Sequence, residues 1–125
     1  MMRGRLDRFH SPDVRDLRAF APEDPCKFGF PLQFFVGSQP DGGGSDAFAA
    51  IVCTPEWLRA EYSPKEILSG RHKIIVFEYD YDRLWAYVEK YCSTCWGETW
   101  EEVAAGIGRL GRWEFLGMKK GLPDP

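Results

Sequence analysis

The chain has 125 residues and is 44% hydrophobic, and its 16 basic and 19 acidic side chains give a net charge of −3. A chain of this length buries about two-thirds of its unfolded surface in one core, so we predict a single domain over residues 1–125 with a flexible tail at 117–125. Nine Phe, five Trp and five Tyr exclude an intrinsically disordered chain, and the acidic balance disfavours direct binding of nucleic acid, which depends on Lys and Arg side chains that neutralise phosphates.

The predicted elements begin with a strand over residues 5–9, followed by one or two short helical turns capped by the sequence Ser-Pro-Asp at 11–13. A hairpin is predicted next, because the aromatic and β-branched segment 28–36 and the apolar segment 47–53 flank a glycine-rich connection. Since proline cannot donate a backbone hydrogen bond, Pro31 places the first hairpin strand near a sheet edge or a bulge.

A first helix is predicted after the hairpin, because Thr54 supplies an N-cap hydroxyl and Pro55 occupies the first helical position; we expect it to extend to Tyr62. The apolar run 73–79 is the clearest buried strand in the sequence. From Asp80 onward, apolar residues recur at helical spacing and predict a second, amphipathic helix. Its apolar stripe consists of Leu84, Trp85, Val88 and Tyr91.

A third helix is predicted from Thr99, where an N-cap hydroxyl is followed by Glu102 three residues later. This helix ends in glycines, and residues 113–115 then alternate in the manner of a final strand. Strands and helices follow each other without a regular βαβ repeat. The predicted fold class is therefore α+β, with a mainly antiparallel sheet packed by two to three helices.

Neither a membrane span nor a secretory signal is predicted. The longest uncharged apolar run, Ala47 to Cys53, is far shorter than the ~20 residues that cross a bilayer. The first eight residues include charges where a secretory signal has an apolar stretch. We therefore expect a cytoplasmic protein whose four cysteines are reduced thiols.

Two motifs resemble cofactor sites but stand in the wrong context. Residues 106–111 match Gly-x-Gly-x-x-Gly, yet the glycines close a helix, whereas a dinucleotide site needs them to open one. Cys92 and Cys95 end a predicted helix, where the helix dipole raises a thiol pKa, and no second close pair supplies zinc ligands. Neither His10 nor His72 has a nucleophile or carboxylate at a recognisable spacing. We predict no catalytic residue, cofactor or metal; a small zinc or redox protein using Cys92 and Cys95, or a structural adaptor, is the alternative.

The acidic side chains concentrate in residues 78–102, which hold seven acids and two bases. One interpretation is that these acids only cap two helix N-termini and face solvent. The other is that acids and interleaved aromatic rings form one surface for a basic protein partner, the acids steering association and the rings anchoring the complex. The candidate partner-binding residues are Glu78, Asp80, Tyr81, Asp82, Glu98, Trp100, Glu101 and Glu102.

Several segments have a distinctive order and spacing: His10-Ser11-Pro12-Asp13, Phe28-Gly29-Phe30, Val52-Cys53-Thr54-Pro55-Glu56-Trp57-Leu58, Gly70-Arg71-His72, Tyr79-Asp80-Tyr81-Asp82, Gly97-Glu98-Thr99-Trp100-Glu101-Glu102-Val103-Ala104 and Gly111-Arg112-Trp113-Glu114-Phe115. Together they resemble the bacterial immunity protein 8 family of polymorphic toxin systems. The resemblance covers nearly the whole chain and departs mainly at the glycine loop 42–44 and in the tail after Leu116.

The resemblance implies an α+β protein that is encoded beside a secreted or contact-delivered toxin and protects the producing cell by binding it. Many such toxins are nucleases. The family supplies no catalytic residues, so we expect a protein without enzymatic activity that occludes the active site of a cognate toxin. The chemistry of the toxin and the oligomeric state of the chain stay open.

Overall fold

The computed structural model describes residues 1–40 and 42–114. Six strands form one curled sheet: β1 (Met2–His10), β2 (Gly29–Gln39), β3 (Asp46–Cys53), β4 (Lys73–Ile75), β5 (Trp96–Gly97) and β6 (Arg112–Trp113). Their order is β4-β3-β2-β1-β5, and β6 pairs with β3 on the same side as β4. All pairings are antiparallel except the parallel pairing of β3 with β4. The three helices are α1 (Pro55–Glu61), α2 (Tyr81–Ser93) and α3 (Trp100–Ile107). The predicted α+β class is confirmed.

The core lies between one face of the sheet and the helices α2 and α3, both of which contact β1. In β2, alternate side chains are buried, as the two-residue period of a strand requires. At the centre, Phe34 of β2 stacks on Phe48 of β3, with ring centroids 5.6 Å apart. The helices contribute Leu84, Val88 and Cys92 from α2 and Val103, Ala104 and Ile107 from α3. Each large apolar side chain buried in this way stabilises the fold by about 1.5–3 kcal/mol.

The predicted hairpin is confirmed, because all eight residues of β3 pair with residues 29–36 of β2. Gly42 and Gly43 in the connection have φ values of 59° and 107°, a backbone conformation that glycine adopts without strain. Pairing between β1 and β2 stops at His10 with Gln33. Pro31 therefore lies beyond the end of this pairing, where no strand of the described residues pairs with β2 on its β1 side, and the predicted edge position of the proline is confirmed for this part of β2.

All three predicted helices are present: α1 and α3 begin at their predicted caps, and α2 begins directly after Asp80, the residue at which its pattern was predicted to start. The Thr54 hydroxyl accepts a hydrogen bond from the Trp57 N–H at 3.2 Å, and the Asp80 carboxylate accepts one from the Arg83 N–H at 3.1 Å. The Thr99 hydroxyl accepts one from the Glu102 N–H at 3.2 Å. Caps of this type stabilise a helix by about 1 kcal/mol each. No helix of the described residues is long and apolar enough to cross a membrane.

Three predicted elements differ from the structure. Residues 11–28 contain turns and bends but no helix, since the Ser11 hydroxyl accepts the Asp13 N–H in a local turn. The predicted strand 73–79 is only three residues long, because its partner β3 ends at Cys53 and the chain then turns into α1. The final strand is Arg112–Trp113. Phe115 and the predicted flexible tail at 117–125 lie outside the described residues.

Candidate functional site

The acidic candidates divide between the two ends of α2. Glu78, Asp80 and Asp82 lie at its start, whereas Glu98, Glu101 and Glu102 surround the start of α3. Strand β1 shows the separation: Phe9 packs on Tyr81 at the start of α2, and Arg3 pairs with Trp96 beyond its end. Six residues of strand separate Arg3 from Phe9, which is roughly 20 Å. The structure does not bring the two acidic groups together.

The two candidate aromatic anchors are packed against other parts of the chain. Tyr81 stacks with Trp85 at a centroid distance of 6.2 Å, and the guanidinium of Arg18 lies 4.4 Å from the centre of the Tyr81 ring. The indole N–H of Trp100 donates to an Asp46 carboxylate oxygen at 2.7 Å. These contacts tie loop 11–28 to α2 and α3 to β3, so both rings have a structural role in the free chain.

At the start of α2, two of the three acids form ion pairs with Arg83. Arg83 lies 3.8 Å from the Glu78 carboxylate and 3.6 Å from the Asp80 carboxylate. The Glu78 and Arg83 side chains are largely exposed, and ion pairs in this setting stabilise a protein by less than about 1 kcal/mol. Asp82 lies in the first helical turn. This acidic end of α2, defined as Glu78, Asp80 and Asp82, therefore carries an excess of negative charge that a partner can engage.

A groove of about 470 Å³ adjoins the acidic end of α2. It lies between α2 and the segment from Lys73 to Asp80, and we refer to it as the β4–α2 groove. Ile74 and Leu84 are buried beneath it. Three exposed apolar side chains line it as well: Ile75 is 48% exposed, Phe77 78% and Tyr87 53%. Its volume lies within the roughly 300–1,000 Å³ typical of ligand-binding clefts.

Exposed large apolar side chains line this groove. In the described part of the chain, seven large apolar side chains are exposed, and three of them, Ile75, Phe77 and Tyr87, line the groove. The four others are Met1, Ile67, Leu68 and Trp96. Contiguous exposed apolar surface marks interaction sites in proteins that are otherwise polar outside. The groove is therefore the candidate binding surface of this chain.

Sequence reasoning missed this surface because it assigned the run 73–79 to a buried strand. In the structure Ile74 is buried, but Ile75 and Phe77 are exposed. One signal was available: Tyr87 is a large aromatic residue on α2 that falls outside the predicted apolar stripe. Tyr87 lies three residues after Leu84 and four before Tyr91, at the border of that stripe, and an aromatic side chain there widens the apolar face beyond what the core uses.

The Cys92–Cys95 pair lacks the environment of a redox or zinc site. Cys92 is fully buried, and burial raises the pKa of its thiol to about 12. Burial also raises the pKa of Cys95, whose Sγ donates to the Tyr91 carbonyl at 3.3 Å. Both thiols are protonated at neutral pH, whereas attack on disulfides and zinc binding both require thiolates. In residues 1–40 and 42–114, no group of three or more His, Cys, Asp or Glu side chains is placed to hold a metal ion.

The glycine motif and His72 have structural roles. As predicted, the glycines end α3: Gly108 is its C-cap, and a side chain at Gly111 would collide with the Phe34 ring. The Nε2 atom of His72 lies 2.7 Å from the Gly108 carbonyl, to which it donates. This hydrogen bond fastens the loop before β4 to the end of α3.

Comparison with known proteins identifies one family. The family model described as Immunity protein 8 matches residues 5–116, which include the β4–α2 groove and the whole of α2. No curated protein and no solved structure matches the chain. The family match covers most of the chain. The chain therefore belongs to the Immunity protein 8 family, the immunity proteins of polymorphic toxin systems.

Proposed function

We propose that this chain binds a cognate bacterial toxin and inactivates it by covering the toxin's active site. The family match over residues 5–116 carries the proposal, since immunity proteins of toxin systems protect the cell that makes the toxin. Such proteins are not normally enzymes, and we assign no catalytic residue to the chain. The chain binds the toxin in the cytoplasm of the cell that produces both proteins.

We assign the toxin contact to the β4–α2 groove and the acidic end of α2. Stable protein interfaces combine a desolvated centre rich in aromatic residues with a charged rim. Phe77 and Tyr87 supply exposed rings beside the groove, and Glu78 and Asp80 supply the rim. The negative charge suits a toxin with a basic surface, such as a nuclease that binds phosphates.

The first experiment tests protection itself. The chain is expressed together with the toxin encoded by the neighbouring gene, and cell growth and co-purification are measured. We expect growth to be restored and the two proteins to purify as one complex. A catalytically inactive toxin variant serves as the control for binding without killing. A toxin that kills cells despite folded, abundant immunity protein, and that does not co-purify, would overturn the proposal.

A second experiment separates the two acidic groups. Asp80→Asn combined with Asp82→Asn removes two charges but keeps the α2 cap, because an asparagine side-chain oxygen also accepts the N-cap hydrogen bond. We expect the association rate to fall several-fold at low salt and to depend less on salt concentration. The control pair, Glu98→Gln with Glu101→Gln, lies at the other end of α2 and should leave the rate unchanged. The reverse result would move the toxin contact to the start of α3.

A further inference from the structure

We infer that the toxin binds by strand addition: an extended toxin segment pairs with the free edge of β4, places apolar side chains in the β4–α2 groove, and sets a Lys or Arg against Glu78 and Asp80. The inference rests on the proposed function and adds the mode of recognition. It follows from three independent features of the same surface, which are the backbone of β4, the apolar side chains and the order of the charges.

The backbone of β4 has one paired and one open edge. The Ile51 N–H donates to the His72 carbonyl, and the Val76 N–H donates to the Cys53 carbonyl, both at 2.9 Å. Because successive peptide groups of a strand point to opposite sides, the N–H and C=O of Ile75 point away from β3. No residue of the described ranges 1–40 and 42–114 pairs with them. An extended segment can therefore add to the sheet at Ile75.

The apolar groove runs beside this open edge. A strand added to a sheet lies about 4.8 Å from its neighbour, and its side chains point alternately to the two faces. Side chains on the α2 side would enter the groove and contact Leu84 and Tyr87. The exposed side chains of Ile75 and Phe77 would be covered by the same segment. Strand addition thus buries apolar surface that the free chain leaves in water.

The two edges of the sheet differ in how they are protected. Natural proteins keep edge strands from pairing with other chains by making them short and placing charges on them. At the β5 edge, the exposed ring of Trp96 is covered by the guanidinium of Arg3 at 5.3 Å. At the β4 edge, Ile75 and Phe77 are exposed beside unpaired backbone groups. Strand β4 is itself short and begins with Lys73, but its exposed apolar side chains beside unpaired backbone groups are the features that allow another strand to pair with it.

The charges along the groove specify the partner segment. Lys73 stands at the beginning of β4, and Glu78 and Asp80 follow its end. Arg83 forms ion pairs with these acids, and its contacts of 3.6 and 3.8 Å are exposed to solvent. A toxin segment with alternating apolar residues and a Lys or Arg beside the end of β4 therefore complements the groove.

The main experiment measures amide hydrogen exchange in the complex with the purified, catalytically inactive toxin encoded by the neighbouring gene. The Ile75 amide is open in the free chain, so strand addition should slow its exchange by at least about tenfold relative to the Val76 amide, which already bonds to Cys53. A complex in which Ile75 exchanges as fast as in the free chain would overturn strand addition.

Substitutions at Ile75 provide a second measurement. Ile75→Pro removes the outward N–H, and proline is compatible with an unpaired edge position. Ile75→Ala is the matched control, because it shortens the side chain but keeps the N–H. We expect Ile75→Pro to weaken toxin binding at least about tenfold more than Ile75→Ala does. Equal effects of the two substitutions, in variants with wild-type circular dichroism, would refute strand addition; if the proline variant does not fold, amide exchange decides.

These experiments distinguish a failure of toxin binding from a failure of strand addition. If the toxin does not bind the wild-type chain, the proposed function fails. If the toxin binds but Ile75 stays unprotected, only strand addition fails. Antiparallel pairing between the β4 strands of two copies of this chain is the alternative use of the same edge. A free chain that is dimeric by light scattering, and that becomes monomeric on Phe77→Asp, would therefore assign this edge to a second copy and overturn the inference.

Discussion

Replacing Phe77 by alanine tests the proposed interface most directly, because this side chain is 78% exposed in the free chain. A phenylalanine that becomes buried hides roughly 150–250 Å². About four-fifths of that area is available, or roughly 150 Å², which corresponds to an upper limit of ~4 kcal/mol at about 25 cal/mol per Å². Alanine retains part of the contact, so we expect a loss of about 2 kcal/mol. The dissociation constant should then rise about 30-fold.

The same substitution should leave the free chain nearly as stable as before. Phe77 contributes little to the core, and surface substitutions of this kind change the free energy of unfolding by about 0.5 kcal/mol or less. Calorimetric titration with the inactive toxin measures binding, and urea denaturation measures stability. Trp96→Ala is the control, because Trp96 is also an exposed ring but lies at the opposite edge of the sheet.

Three results would refute the assignment of Phe77 to the toxin contact. Wild-type affinity in the folded Phe77→Ala variant would show that the ring stays outside the complex. A loss of affinity on Trp96→Ala, with Phe77→Ala unaffected, would place the toxin at the β5 edge. A loss of affinity that tracks a loss of stability in the Phe77 variant would show that the ring supports the fold, in conflict with its exposure.

Three further predictions concern the fold. Asp46→Ala removes the acceptor of both the Trp100 and Trp113 indole N–H groups and should lower the free energy of unfolding by about 2–3 kcal/mol in urea denaturation. Burial raises the pKa of Tyr79 from 10.0 to about 12, so the stability it contributes is complete below pH 10 and is lost as the pH rises towards 12; a Tyr79→Phe variant should lack this part of the alkaline loss in denaturation curves. Cys26 is exposed and should react with a thiol reagent in the native chain at pH 8, whereas Cys92 should react only after unfolding, and a rapid native reaction of Cys92 would contradict its burial.

Elements whose signals are local could be predicted from the sequence. The caps at Thr54, Asp80 and Thr99 each depend on a side chain and a backbone N–H within three residues, so nothing distant decides them. The hairpin of β2 and β3 could also be predicted, because the glycine connection lies between two apolar segments. These elements explain why the α+β class and all three helices were predicted correctly.

The proposed binding surface could not be predicted, because its exposure depends on distant parts of the chain. Whether the run 73–79 is buried is decided by where β3 ends and by the absence of a further strand beside β4 in the described part of the chain. Periodicity carries no information on either point. In the same way, residues 78–102 are one acidic block in sequence, but α2 separates the two halves by its length. Proximity in sequence therefore overstated the size of the acidic surface.

In the proposed surface, one group of residues affects the association rate of the toxin and another affects its dissociation rate. An immunity protein has to meet its toxin quickly and release it slowly. Charges outside the desolvated centre act on the association rate, whereas buried apolar contacts and hydrogen bonds act mainly on the dissociation rate. The acidic end of α2 should therefore set how fast the complex forms, and Phe77 together with the Ile75 backbone should set how long it lasts. The Asp80/Asp82 variant should accordingly change mainly the association rate, and the Phe77 variant mainly the dissociation rate. If both variants change the same rate constant, the acids and the groove belong to one desolvated contact.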